Sequence, residues 1–135
     1  RNEVLADVPV ELTQPLISQQ EIFAARKAVL NVHLSTALEQ YLVQLIIATR
    51  QAKRYDDQIA SWIQYGASPR ATIALDRTAR AYAYLQGRDH VLPSDIQNLA
   101  FDVLRHRLIL SYEAQADGIT PEHVINRLLK LIAIP

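Results

Sequence analysis

The sequence predicts an all-α domain, a compact bundle of about five helices with short connections. Three observations predict it. Apolar residues recur at three- and four-residue spacing along most of the chain, the period of a helix with one buried face. Helix-start chemistry recurs too, as Ser18 followed by Glu21, Ser68-Pro69, Pro93-Ser94 and Thr120-Pro121. Two of the three glycines, Gly87 and Gly118, stand just past the ends of periodic segments, where a left-handed residue closes a helix.

The elements follow in order. Residues 1–17 hold Pro9 and Pro15, show no sustained period, and read as an extended lead-in. Ser18 and Glu21 form a capping box, and Ile22, Ala25, Val29 and Val32 make a stripe at helical spacing. Ser35 caps a second helix in which Leu38, Tyr41, Leu42, Val43, Leu45, Ile46, Ile47 and Ala48 cover nearly every face. A helix apolar all round belongs at the centre of a bundle. Arg50, Lys53 and Arg54 follow, where cations complement the negative end of the helix dipole. Residues 55–67 are aperiodic and read as an ordered loop with a short extended piece. Ser68 is then expected as the cap and Pro69 as the first helical residue of a helix reaching about Gln86, with Ala71, Ala74, Leu75, Thr78, Tyr82 and Leu85 inward. Pro93 and Ser94 open a further helix with Ile96, Leu99, Ala100, Val103 and Leu104 inward. Leu108-Ile109-Leu110 suits a short strand paired with Val91-Leu92. A helical turn spans 112–116, and a last helix from Pro121 carries Val124, Ile125, Leu128, Leu129 and Ile132.

Composition narrows the function classes. Half of the 135 residues are hydrophobic and about a fifth charged, with 14 basic residues against 14 acidic. That balance argues against a sequence-independent nucleic-acid binder, which needs excess cations to displace counterions. No apolar run approaches the ~20 residues of a membrane span. With no cysteine there is neither a disulfide framework nor a thiol nucleophile, which fits a cytoplasmic setting. Methionine is absent as well, so residue 1 is not a translation start and a piece of a longer chain is expected. His33, His90, His106 and His123 lack paired ligand spacing, so no metal site is expected. Asp56-Asp57 reads as a solvated pair. A phosphate-cradling GxxxxGK[ST] loop is absent, so the chain alone is no catalyst.

One segment stands apart, Gly66-Ala67-Ser68-Pro69-Arg70-Ala71. It sets Arg70 in the first turn of a helix, where free N–H groups and the positive dipole end attract phosphate. A guanidinium there can hold phosphate oxygens at two points. An arginine at the positive end of a helix has the unfavourable sign, and a bound anion would remove that conflict. The competing reading is an ordinary solvated arginine beside a helix start. Arg77, two turns on along the same face, is open to the same two readings: a cleft-lining or subunit-seam cation, or a solvated one. For Trp62 and Tyr65, packing that fixes the loop is favoured over contact with an adenine ring, while Arg105-His106-Arg107 suits a helix end or a subunit contact.

That segment resembles the GASPRA hallmark of the MoxR family of AAA+ ATPases. Further pieces resemble the family in the same order: Ala48-Thr49-Arg50, Gly87-Arg88-Asp89-His90-Val91 with Pro93-Ser94-Asp95-Ile96, Val103 through Leu108, and Gly118-Ile119-Thr120-Pro121-Glu122 through Leu129. Leu92 and Ser94 depart from the usual residues without touching the chemistry. The resemblance implies a helical lid over residues 18–135, with residues 1–17 leading in from an upstream nucleotide-binding core. It implies that Arg70 is the sensor 2 arginine reaching the γ-phosphate, with Ser68, Pro69 and Arg77 beside the nucleotide. ATP and Mg2+ would belong to the parent protein, and the piece alone would hold neither. Partners would be that core, neighbouring subunits of a hexameric ring and a von Willebrand A-domain protein, in chaperone-like remodelling. A magnesium-chelatase-type parent is a close variant. Two other readings stay open: a histone-fold-like dimerisation module, from the loose likeness of 90–108, and a helical interaction domain with no nucleotide role.

Overall fold

A computed structural model describes residues 16–135. Seven α-helices, one short 3-10 turn (Ala52–Arg54) and one two-stranded sheet make up the regular structure of the described part. The helices are α1 (Gln19–Leu30), α2 (Thr36–Arg50), α3 (Asp57–Trp62), α4 (Arg70–Leu85), α5 (Pro93–Leu104), α6 (Tyr112–Ala116) and α7 (Pro121–Leu131). The strands are β1 (Ile63–Tyr65) and β2 (Ile109–Leu110). All but two of the expected lead-in residues lie outside the described residues.

Helix α2 is the axis of the bundle. Ser35 accepts the Leu38 N–H at 3.2 Å, and Leu38, Tyr41, Leu42, Leu45, Ile46 and Ala48 are buried. Val43 is half-buried and Ile47 is 37 % exposed, so the helix keeps one face to solvent and is not buried all round as expected. Helices α4 and α7 pack on it, and α5 lies against both of them. The contact of α4 with α5 is the most extensive in the described fold. The buried residues of α4 are Ala71, Leu75, Ala79 and Ala83, a row at every fourth residue. Three small side chains in one ridge let the α5 ridge of Ile96, Ala100, Val103 and Leu104 approach closely.

This row corrects the expected inward face of α4. Ala71 and Leu75 lie in it, but Thr78 and Tyr82 are only half-buried and Leu85 is 78 % exposed. Reading the largest apolar residues as the core rotated the face, because alanines that permit close packing weigh little in a hydrophobic pattern. A second correction concerns residues 55–67. They hold the six-residue helix α3, capped by Asp56 on the Gln58 N–H at 3.1 Å, and then β1. Six residues are too few to display a period.

Strand pairing differs too. β2 pairs with β1 in antiparallel fashion, Ile63 opposite Leu110 and Tyr65 opposite Ile109, and not with Val91-Leu92. Those residues are already engaged: Val91 donates to the His33 carbonyl at 2.9 Å and His33 donates to the Asp89 carbonyl at 2.8 Å. The stripe expected on α1 also finds little cover. Its capping box forms, but the helix buries no residue, and Ile22 and Phe23 are 47 % and 51 % exposed.

Segment 87–95 builds the bend between α4 and α5. Gly87 takes a positive φ of 77°, ending α4. Arg88 then folds over to place its guanidinium on Asp95 in bidentate fashion, at 2.7 and 2.8 Å. Asp95 also accepts the Leu92 N–H at 2.8 Å and thereby caps α5. Burial pushes the Asp95 carboxyl up, and the Arg88 and Leu92 hydrogen bonds outweigh it, holding the group below the usual aspartate range.

Candidate functional site at the start of helix α4

The residues singled out in sequence lie together where α4 begins. Ser68, Pro69, Arg70 and Arg77 are all exposed. Arg70 is the first residue of α4, and Arg77 follows seven residues later on the same exposed stripe, roughly 10 Å along the axis. Ile73, 55 % exposed, stands between them.

The expected cap is not made. Ser68 gives no side-chain hydrogen bond to the helix, and Pro69, with φ −56° and ψ −23°, is the flanking residue and not the first helical one. The Ala71 N–H, which a Ser68 hydroxyl would have taken, bonds instead to the Ser68 carbonyl at 2.9 Å in a tight turn. Among the described residues the Ser68 hydroxyl therefore has no hydrogen-bond partner.

What holds this start in place comes from α2, seventeen residues earlier. The Thr49 hydroxyl donates to the Ile46 carbonyl at 2.7 Å and accepts the Ala67 N–H at 3.0 Å. Arg50 Nη1 donates to the Ala67 carbonyl at 3.2 Å. Thr49 and Ala67 are buried. Gly66 lies flat on the end of α2: a Cβ on it would stand 2.2 Å from the Thr49 carbonyl oxygen and 2.7 Å from the Arg50 nitrogen. Only glycine allows that approach. Thr49, Arg50, Gly66 and Ala67 thus fix where α4 starts, and spacing alone gives no hint that 49–50 meets 66–67.

The charge at this terminus is unusual within the chain. Helices α1, α2, α3, α5, α6 and α7 each carry an acid in the first turn, as the dipole favours. Helix α4 carries none there and begins on arginine. Among the described residues Arg70 has no ion-pair partner, and neither have Arg26, Arg50, Arg54, Arg77 and Arg107, whereas Arg80, Arg88, Arg105 and Arg127 each hold an acid. Hollows in the surface lie elsewhere. One is lined by Glu39, Gln40, Val43 and Gln44, and one of about 410 Å³ by residues that include Asn31, Tyr84 and Arg88. Arg70 is exposed and lines neither hollow.

The other candidates differ in how far the domain holds them. Trp62 is buried with its ring edge-on to His123 at 5.1 Å and Arg127 above it at 5.9 Å, and its carbonyl accepts the Ser111 N–H at 2.7 Å. Tyr65 stays 62 % exposed. Arg127 also pairs with Asp56 at 3.2 Å. Arg105 pairs with Glu122 and Asp102, and Arg107 donates to the Val103 carbonyl at 2.5 Å. Among the described residues no His, Asp and Glu group could hold a metal ion, and no helix is long and apolar enough to cross a membrane.

The chain belongs to the AAA lid domain family, whose model matches residues 57–128. Within it, the chain is a lid of the MoxR type. It is 40 % identical over 121 residues to Chaperone MoxR1 of Mycobacterium tuberculosis, covering 89 % of this chain and 32 % of that protein. Protein MoxR of Paracoccus denitrificans is 34 % identical over 110 residues, covering 76 % of this chain and 32 % of its own length. A crystal structure of a candidate ATPase from Cytophaga hutchinsonii superposes with a TM-score of 0.87 at 41 % identity, over 90 % of this chain and 37 % of that one. The chain spans about a third of the length of these relatives.

Proposed function

We propose that this chain closes over ATP bound to an upstream AAA+ core, and that Arg70 is the sensor 2 residue through which it reads the γ-phosphate. The observation that carries the reading is the exposed arginine with no acidic partner among the described residues at the head of α4, on a turn anchored to α2. The residues present suit a polyphosphate. Arg70 offers a fork of N–H donors, and beside it the Ser68 hydroxyl has no partner among the described residues, while the Ala71 and Thr72 N–H groups are taken by the Ser68 and Pro69 carbonyls. Bound ATP supplies the phosphoryl group and, with Mg2+, the charge to be balanced. The magnesium would be held by the core, since the described residues offer no acidic cluster for it. Arg70 would stabilise charge developing on the γ-phosphate and make lid position depend on which nucleotide is bound. Arg77, further along the exposed stripe, is assigned to the cleft or to the seam with a neighbouring subunit. The parent would work as a hexameric ring in the cytoplasm, remodelling client proteins with a von Willebrand A-domain partner. The chaperone name of a relative supports that assignment.

Reading of the γ-phosphate has a direct binding signature. In the full-length protein, Arg70→Ala is expected to weaken ATP binding about tenfold while ADP binding stays unchanged. Calorimetric titration of both nucleotides checks it, and equal loss for both, or loss for neither, counts against the assignment.

A further inference from the structure

We infer that Arg50 is a positioning residue for Arg70, doing from a distance what a local helix cap does elsewhere in the chain. The catalytic consequence rests on the reading of Arg70 above; the structural part stands by itself. Helices α1, α2, α3, α6 and α7 each start on a Ser, Asp or Thr side chain that accepts a backbone N–H of the first turn. Helix α4 has no such bond, and Pro69 contributes no N–H. The Ala71 and Thr72 N–H groups reach only the Ser68 and Pro69 carbonyls of the same turn, at 2.9 and 3.1 Å, so this start is held no more firmly than the loop before it, and Arg70 moves with that loop.

The missing restraint is replaced at Ala67. Its N–H goes to the Thr49 hydroxyl and its carbonyl to Arg50 Nη1, so both sides of that one residue are fixed to the end of α2. Arg70 begins only three residues further on. The two partners differ in what they can reveal. Thr49 is buried and also bonds within its own helix, so its removal would disturb the core. Arg50 is exposed, closes α2 as its last residue and crosses to the loop with one donor, so it can be truncated without opening a cavity.

The test uses the full-length protein with Arg50→Ala, Arg50→Lys, Arg70→Ala and the Arg50→Ala/Arg70→Ala double variant. Amide hydrogen exchange without nucleotide is read over residues 66–72, and ATP turnover alongside it. Arg50→Ala is expected to speed exchange there and to lower kcat about fivefold with little change in KM. Lysine can still donate to the Ala67 carbonyl, so Arg50→Lys is expected to restore most of both. In the Arg70→Ala background, Arg50→Ala is expected to lower turnover no further. Exchange at 66–72 unaltered by Arg50→Ala would overturn the inference. So would an equal drop in turnover with and without Arg70, which marks a merely structural loss. If Arg70→Ala leaves turnover intact while Arg50→Ala still speeds exchange, the clamp stands and the nucleotide reading of Arg70 falls.

Discussion

Gly66→Ala is expected to destabilise the domain by about 3 kcal/mol, at the upper end of what forced overpacking costs. The reason is contact, not dihedral preference. The added methyl would meet the Thr49 carbonyl carbon and oxygen at 2.4 and 2.2 Å and the Arg50 nitrogen at 2.7 Å. All three are backbone atoms of a buried helix end and cannot rotate aside. Gly87 makes the internal comparison. Its φ of +77° strains an alanine, yet nothing lies within 4 Å of the added methyl. Gly87→Ala is therefore expected to cost about 1 kcal/mol. Thermal unfolding of the two variants side by side checks the order, with a Tm drop of roughly 10 °C for Gly66→Ala. Equal drops would mean that the close approach of 66 to α2 is not formed.

The second large effect is expected at Asp95. Asp95→Asn keeps the shape but removes the charge that holds Arg88 and one of the oxygens that serves both Arg88 and the Leu92 N–H. Arg88 keeps partial access to water, with 24 % of its side chain exposed, so the loss is expected at about 2 kcal/mol and not at the full cost of a buried unpaired charge. The pH dependence has a definite sign. The folded carboxyl titrates below its unfolded value of about 4, so its contribution is complete above that value and lost as pH falls through the lower, folded value. Chemical unfolding at neutral and at acid pH is expected to show the gap between wild type and Asp95→Asn at neutral pH and its narrowing below about pH 4. A gap that does not narrow would show that the Asp95 charge is not what stabilises the bend.

These expectations also show what could and could not be read without coordinates. The cap of α2 at Ser35, the ridge of α5 and the stops at Gly87 and Gly118 follow from rules that act within a few residues, and each is found where expected. Contacts between distant segments follow no such rule. Nothing in residues 63–65 announces β2 as their partner, and nothing in Thr49-Arg50 announces Ala67. The stripe on α1 teaches a different point. Amphipathic spacing says that a face wants cover, not that this chain provides it, and Ile22 and Phe23 remain half exposed. At the site, the Ser68-Pro69 signal found the right turn for a partly mistaken reason. It is a common cap pattern, yet here the hydroxyl caps no N–H and the anchoring runs through α2. Arg70 stood out because its sign is wrong for its position, which is a statement about charge and needs no coordinates.

That charge is also the centre of the account. Steady-state ATP hydrolysis by the full-length protein, wild type against Arg70→Ala, tests it most directly. A fall in kcat of about tenfold or more is predicted, equivalent to at least ~1.4 kcal/mol of lost transition-state stabilisation. Arg70→Lys should recover only part of it, since an ammonium cannot reproduce the two-point fork. Turnover unchanged in a folded Arg70→Ala protein would contradict the account and return Arg70 to the solvated surface.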